Sequence, residues 1–364
     1  MLRRFCYVCV IQVTLCMAAF AAPKLVYNGD TLDWNYGWQK RQCGTLDIEK
    51  NIIEVSGIAC SRVTPGYIWM QSDETVKYII ATTEKGDERA CKVNFTKNIR
   101  WDWEDMSGGV YNDVNYLFIG AFGDNDETDG EYSVVYFEEP AIDPANTPEV
   151  TVTPNRIKYV YPDGKKHNNE ALMYDNLTSE IYIITKVYYD VCQVFRLPFR
   201  LDYGDEVQTL EYICDLGVKS DLGSGNKPYK GFHLVTAADI SPDGKYILIK
   251  NHNNIVSTFC WVLYWERQEG ESVADAVKRQ PQPIRAYNTT EWQGEAICWL
   301  DDDTFYTTSD ADDGNPPIYK FTRKWGAGVE DITYEQENKL VMIGNVLYVR
   351  TDKGLYSLDG RKVQ

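Results

Sequence analysis

Histidine is scarce in this 364-residue chain, with three in all: His167, His233 and His252. No two of them are spaced to share a metal from one helix turn, so imidazole-based zinc or iron chemistry has little to draw on. There is no Gly-x-Ser-x-Gly elbow, no P-loop and no dinucleotide fingerprint, which removes the common nucleophile, nucleotide and hydride-transfer classes. Positive charge is short as well: 37 Lys and Arg face 54 Asp and Glu, for a net charge of −17. That balance excludes nucleic acid and anionic membrane surfaces as partners. Long helical patterns are missing, and a single extended apolar run occurs, Phe5 to Phe20.

That run follows Arg3 and Arg4 and ends in Ala19-Phe20-Ala21, the layout of a secretory signal peptide over residues 1–21. It is short for a membrane anchor and stops at alanines and Pro23. The expectation is export to a periplasmic, outer-surface or extracellular location, with no transmembrane segment after cleavage. Removing residues 1–21 takes away two positive charges and three of the ten cysteines. The other seven are Cys43, Cys60, Cys91, Cys192, Cys214, Cys260 and Cys298, an odd number with no Cys-x-x-Cys spacing. Several sit inside strand-like runs, where a thiol serves as a small apolar core residue. Buried thiols are therefore expected, with Cys60–Cys91 as the pair to consider in an oxidising compartment.

What is present is repetition and β-propensity. The chain holds 26 Tyr and 10 Trp, residues that favour strands. A short polar-then-apolar segment, followed by a β-rich run, recurs about every fifty to seventy residues. The copies begin at Ser56-Gly57-Ile58, Glu104-Asp105-Met106, Glu170-Ala171-Leu172, Ala238-Asp239-Ile240 and Glu295-Ala296-Ile297. Further strand candidates follow each, separated by turn sequences such as Pro162-Asp163-Gly164 and Ser241-Pro242-Asp243-Gly244. The fold class is all-β, a β-propeller spanning residues 22–325. For residues 326–364 two readings stand. Glu330-Asp331-Ile332 and the run Val346–Thr351 echo the repeat and suggest a sixth blade, closed by a strand near Thr45–Ile48. The alternative is five blades and a small C-terminal β tail. Six blades is the expectation.

Trp103-Glu104-Asp105-Met106, followed by Gly120-Ala121-Phe122-Gly123-Asp124-Asn125, resembles a motif of secreted bacterial propellers grouped with the six-bladed TolB-like, NHL and phytase-like folds. Ala121 departs from that pattern, which usually places an acid there. Asn169-Glu170-Ala171-Leu172 with Thr185-Lys186 is similar to the third blade of the same group. The resemblance covers most of residues 50–325 and implies a fold rather than an activity. The C-terminal Leu355–Val363 looks like the short β tail of many secreted proteins of Gram-negative gut bacteria.

Polar residues at the start of each inner strand and the end of each second strand reach one mouth of the ring. Glu104, Asp105, Glu170, Asp239 and Glu295 are the candidate metal ligands, since converging carboxylates suit Ca²⁺. Ser56, Asp73, Asp124, Asn125, Lys186, Asn251 and Asp310 are the candidate binding residues. Such acids also serve as joints between blades, or hold an ion that polarises a phosphoester or lactone. His167, His252 and Lys186 are the acid–base candidates; Lys186 either grips an anion or neutralises Glu170 or Glu104. Asp124–Glu131 alternates oxygens as a calcium loop does but lacks the terminal spacing, and reads as a solvated loop. Trp34, Tyr36, Trp38 and Trp292 offer rings for sugar stacking, with core packing as the plainer role. The functional expectation is a monomeric module, with Ca²⁺ as the one cofactor considered. It binds a small molecule, glycan or protein through an acidic funnel, with a metal-dependent hydrolase as the alternative.

Overall fold

The computed structural model describes residues 24–73, 76–99, 102–187, 191–220, 234–252, 260–284, 291, 293–310, 314–324, 339–343, 346–351 and 354–357. Residues 1–21, read above as a signal peptide, and also Trp292 and Glu330–Ile332, lie outside the described residues.

Five four-stranded antiparallel blades follow one another. Blade 1 runs outward through Val55–Cys60, Tyr67–Ser72, Tyr78–Thr83 and Arg89–Phe95. Blade 2 uses Trp103–Tyr111, Val114–Ala121, Tyr132–Glu138 and Asn155–Val160. Blade 3 uses Asn169–Asp175, Glu180–Thr185, Cys192–Pro198 and Glu211–Leu216, and blade 4 uses Leu234–Ile240, Tyr246–His252, Cys260–Glu266 and Gln282–Ile284. Blade 5 takes Ala296–Asp301, Thr304–Thr308 and Pro317–Arg323 from its own repeat and a fourth strand, Trp38–Thr45, from the other end of the chain. Both faces of a blade pack on neighbours, so inner strands are buried at consecutive positions rather than alternate ones. Asn169–Asp175, for instance, is buried at every position.

The inner strand of blade 1 packs against those of blades 2 and 5, which closes the ring at five. The expectation of six blades is therefore corrected, and the five-blade reading describes the molecule. The fourth place of blade 5 is filled by Trp38–Thr45, in antiparallel register from Trp38↔Arg323 to Thr45↔Pro317. No gap is left for a sixth blade. Lys339–Ile343, Val346–Thr351 and Gly354–Ser357 form an antiparallel sheet of their own. Trp38 anchors the closing strand by packing on Tyr264, Trp299 and Phe305 with ring centroids 5.0–6.0 Å apart.

The seams share one device. The stretch just before the outermost strand of a blade reaches back and pairs with the outermost strand of the preceding blade. Glu149–Val152 pairs in parallel with Lys92–Phe95, and Val207–Thr209 with Lys158–Val160. Asn35 bridges in parallel to Ile284, and Lys85 and Gly86 accept N–H bonds from Thr45 and Asp47. Between blades 3 and 4 a short helix, Val273–Ala276, capped by Ser272, packs into the same apolar cluster as Leu216 and Trp265. Sheet edges that would otherwise invite pairing with other chains are thereby covered.

Candidate functional site

The inner strands of blades 1 to 4 carry a bulge near their start, and the bulges define equivalent positions. The ladder skips Ser56 between Val55 and Gly57, Glu104–Asp105 between Trp103 and Met106, Glu170 between Asn169 and Ala171, and Thr236 between Val235 and Ala237. In blade 5, Glu295 directly precedes Ala296. This bulge row is flanked by two others. Asp73, Phe122, Lys186 and Asp310 donate their backbone N–H to the carbonyls of Glu54, Asp102, Asn168 and Gln293, and His252 pairs with Leu234. Every blade thus presents the same three positions: an entry residue, a bulge residue two later, and an exit residue on the neighbouring strand. Glu54, Asp102 and Gln293 hold left-handed backbone, with φ of +53°, +79° and +42°. This is a strained conformation that side-chain-bearing residues adopt sparingly.

The rows make an acidic basin. Asp73, Asp102, Glu104, Glu170, Glu295 and Asp310 converge there, and Lys186 is the lysine or arginine among the three rows. Lys186 Nζ lies 3.0 Å from Glu170 Oε1, and both side chains are almost wholly buried. Burial opposes the lysine's charge, but Glu170, Glu295 and Glu104 outweigh it and hold the ammonium above the usual lysine range. Burial, reinforced by Glu170 and Asp73, pushes Glu104 well above the usual carboxylate range. Glu295 rises to about 8, through burial and then Glu170, Asp310 and Asp73, with Lys186 pulling the other way. The uncharged members of the bulge row are joints: Ser56 Oγ donates to the Glu104 carbonyl of the next blade, and Thr236 Oγ1 donates to Gly294 O at 2.9 Å.

The structure separates the candidate metal ligands into two groups. Glu104, Glu170 and Glu295 belong to the basin. Asp105 and Asp239 lie deeper, inside the channel, and are occupied by blade backbone. Asp105 accepts N–H bonds from Met106, from Leu172 on blade 3 and from Ala238 on blade 4, at 2.8–3.0 Å. Asp239 accepts from Trp299 N at 2.7 Å and Ser107 Oγ at 3.2 Å, and burial lifts it to about 6. Thr236, rather than Ala238 or Asp239, is blade 4's member of the bulge row.

Among the candidate binding residues, Asp73, Lys186 and Asp310 are exit residues. Asp124 is not; its carboxylate gathers the N–H groups of Thr128, Asp129 and Gly130 and the Tyr132 hydroxyl. Those donors outweigh burial and hold it below the usual range, so this loop wraps a carboxylate with donors. Asn125 accepts from Asn168 Nδ2 at 3.0 Å. Asn251 is buried on the blade 4 strand and donates to Ile249 O at 2.9 Å, while His252 beside it occupies the exit position. His167 sits apart, 3.1 Å from Asp163 and against the Tyr161 ring. Lys250 is buried on Glu291 and the carbonyls of Ala296 and Thr308. Trp38 is core, and Tyr36 is exposed.

Carboxylate oxygens of Asp73, Asp102 and Glu104 all lie within 4.8 Å of one another. Oxygens gathered this closely are a candidate set for calcium, which binds oxygen at about 2.3–2.6 Å. Three protein oxygens are fewer than the six to eight calcium uses, leaving the rest to water. Asp102 stood out in no sequence pattern. It lies between two tryptophans, Trp101 and Trp103, and its place in the site comes from a left-handed turn that residue type alone does not announce.

No family model matches the chain, and no curated protein matches it. Among solved structures, it is similar to the pyrroloquinoline-quinone-bound aldose sugar dehydrogenase of Streptomyces coelicolor, at 8% identity over 80% of this chain and 99% of that one, with a TM-score of 0.39. It is also similar to the Swd1 β-propeller domain of Myceliophteria thermophila, at 12% identity over 72% of this chain and 82% of that one, TM-score 0.34. A third similarity is to a nidogen/laminin complex, at 10% identity over 79% and 86%, TM-score 0.39.

Proposed function

We propose that the chain is a ligand-binding propeller whose recognition site is the acidic basin, with Ca²⁺ seated between Asp73, Asp102 and Glu104. One observation carries the reading: six carboxylates converge on a buried mouth with Lys186 as counter-charge, and Glu104 and Glu295 hold protons well above their usual range. A bound cation relieves that repulsion and lets the acids ionise. The ion would then offer its open positions to an oxygen-rich ligand entering the mouth.

Metal-assisted hydrolysis of a phosphoester or lactone would use the same ion. Gripping a phosphate calls for several cations, and the one lysine of the three rows is already held by Glu170. The binding reading is therefore preferred. Export, as read from residues 1–21, would suit a site of the 10⁻⁴–10⁻³ M class found in extracellular calcium modules.

Isothermal titration of Ca²⁺ into chelator-treated protein tests this directly. Binding with a dissociation constant on the order of 10⁻⁴ M is expected, abolished in Asp102→Asn. Absence of heat, with an unchanged melting temperature on adding Ca²⁺, would return these acids to a purely structural role.

A further inference from the structure

The seam between the first and last blades contains two thiols in contact. Cys60 ends the inner strand of blade 1, and Cys298 lies on the inner strand of blade 5. Their Sγ atoms are 3.5 Å apart, and the residues are 7% and 1% exposed. Around them pack Ile58, Ile68, Ala296 and Tyr306, drawn from both blades. By contrast Cys43 and Cys260 aim their sulfurs at the carbonyls of Ile318 and Glu291. Reaching a disulfide length of about 2 Å requires the two sulfurs to approach by roughly 1.5 Å.

We propose that Cys60 and Cys298 are a covalent modification site, forming a disulfide that locks blade 1 to blade 5 across the seam where the ring closes. The co-reactant is a disulfide donor, such as oxidised glutathione or a thiol oxidoreductase. One cysteine thiolate attacks a donor sulfur and expels a donor thiolate; the second cysteine thiolate attacks the resulting mixed disulfide and expels the other. Two cysteine protons are released, the donor gains two electrons, and one S–S bond replaces another.

In the closed ring the site is dry. Burial, and then the neighbouring Cys60, raise the Cys298 thiol well above its usual range, so the thiolate needed for exchange is suppressed there. Exchange therefore belongs to the stage at which blade 5 docks on blade 1, while the seam is still open to the donor. The bond joins positions far apart in sequence, where a crosslink restrains the unfolded chain most.

The test is refolding of the full chain with oxidised and reduced glutathione, alkylation under denaturing conditions, and peptide mass mapping. A Cys60–Cys298 linked peptide is expected, together with a melting temperature roughly 5–15 °C above that of the chain refolded in reductant. Cys298→Ser should remove both effects, and Cys91→Ser should retain them. Full alkylation of Cys60 and Cys298, or a bond from Cys60 to another cysteine such as Cys91, would overturn the proposal. The mapping is done on the unaltered chain, so it decides the matter even if a variant fails to fold.

Discussion

The Asp105 carboxylate, on the inner strand of blade 2, accepts the backbone N–H of Ala238, on the inner strand of blade 4, at 3.0 Å. The same oxygen accepts Leu172 N of blade 3 at 2.8 Å, so one side chain ties three blades together inside the channel. Asp105→Ala leaves these buried N–H groups unmet and should cost about 3–5 kcal/mol. Asp105→Asn keeps one acceptor oxygen and should cost less. Chemical denaturation measures both, and a parent-like midpoint for the alanine variant would disprove the joint.

Lys186 and Glu170 form a buried pair beside two further acids. Lys186→Met should destabilise the chain by about 3–5 kcal/mol, because it leaves the Glu170 carboxyl buried without its partner. Adding Glu170→Gln to that variant should recover much of the loss. A double-mutant cycle reads the coupling, and additive losses would contradict it.

Stability should fall as pH rises from mildly acidic to mildly basic in the presence of a chelator. Glu295 is held at about 8 and Asp239 at about 6, against ordinary values of 4.5 and 3.8. Between those limits the folded state keeps protons that the unfolded chain has shed. Their stabilising contribution is whole below the ordinary values and is lost as pH passes 6 and then 8. Glu295→Gln should flatten the upper part of a melting-temperature profile. Saturating Ca²⁺ should stabilise more at high pH than at low, because it competes with protons for Glu104. A profile that rises with pH would refute the protonated basin.

Ring closure rests on the N-terminal strand and not on the C-terminal sheet. Trp38→Ala should cost about 3–5 kcal/mol by emptying the space between Trp299 and Phe305. A chain ending at Lys324 should retain the propeller's circular dichroism and melting transition. Loss of cooperative unfolding in that truncation would show that the last forty residues complete the ring after all.

The blades were legible because their apolar runs are bounded by charged residues, as in Ile181–Thr185 between Glu180 and Lys186. The count was not, because the strand that completes blade 5 stands at the opposite end of the chain, and Val346–Thr351 imitates a blade strand. In the basin, Glu104, Glu170 and Glu295 were visible as charged residues ahead of apolar runs. Thr236 was hidden because it is an uncharged member of its row, and Ala238-Asp239 offered a more conspicuous match two residues further on. The depth of Asp105 and Asp239 depends on bulges, which shift register without changing composition.

The pairing of Trp38 with Arg323 also sets an order of events during synthesis. The strand that finishes the last blade is made long before its partner strand, Pro317–Arg323. Until then Trp38–Thr45 has no strand of its own blade to join, and the ring cannot close before residue 323 has been translated. The nascent chain therefore waits with one β-edge uncommitted until the strand ending at Arg323 arrives to meet it.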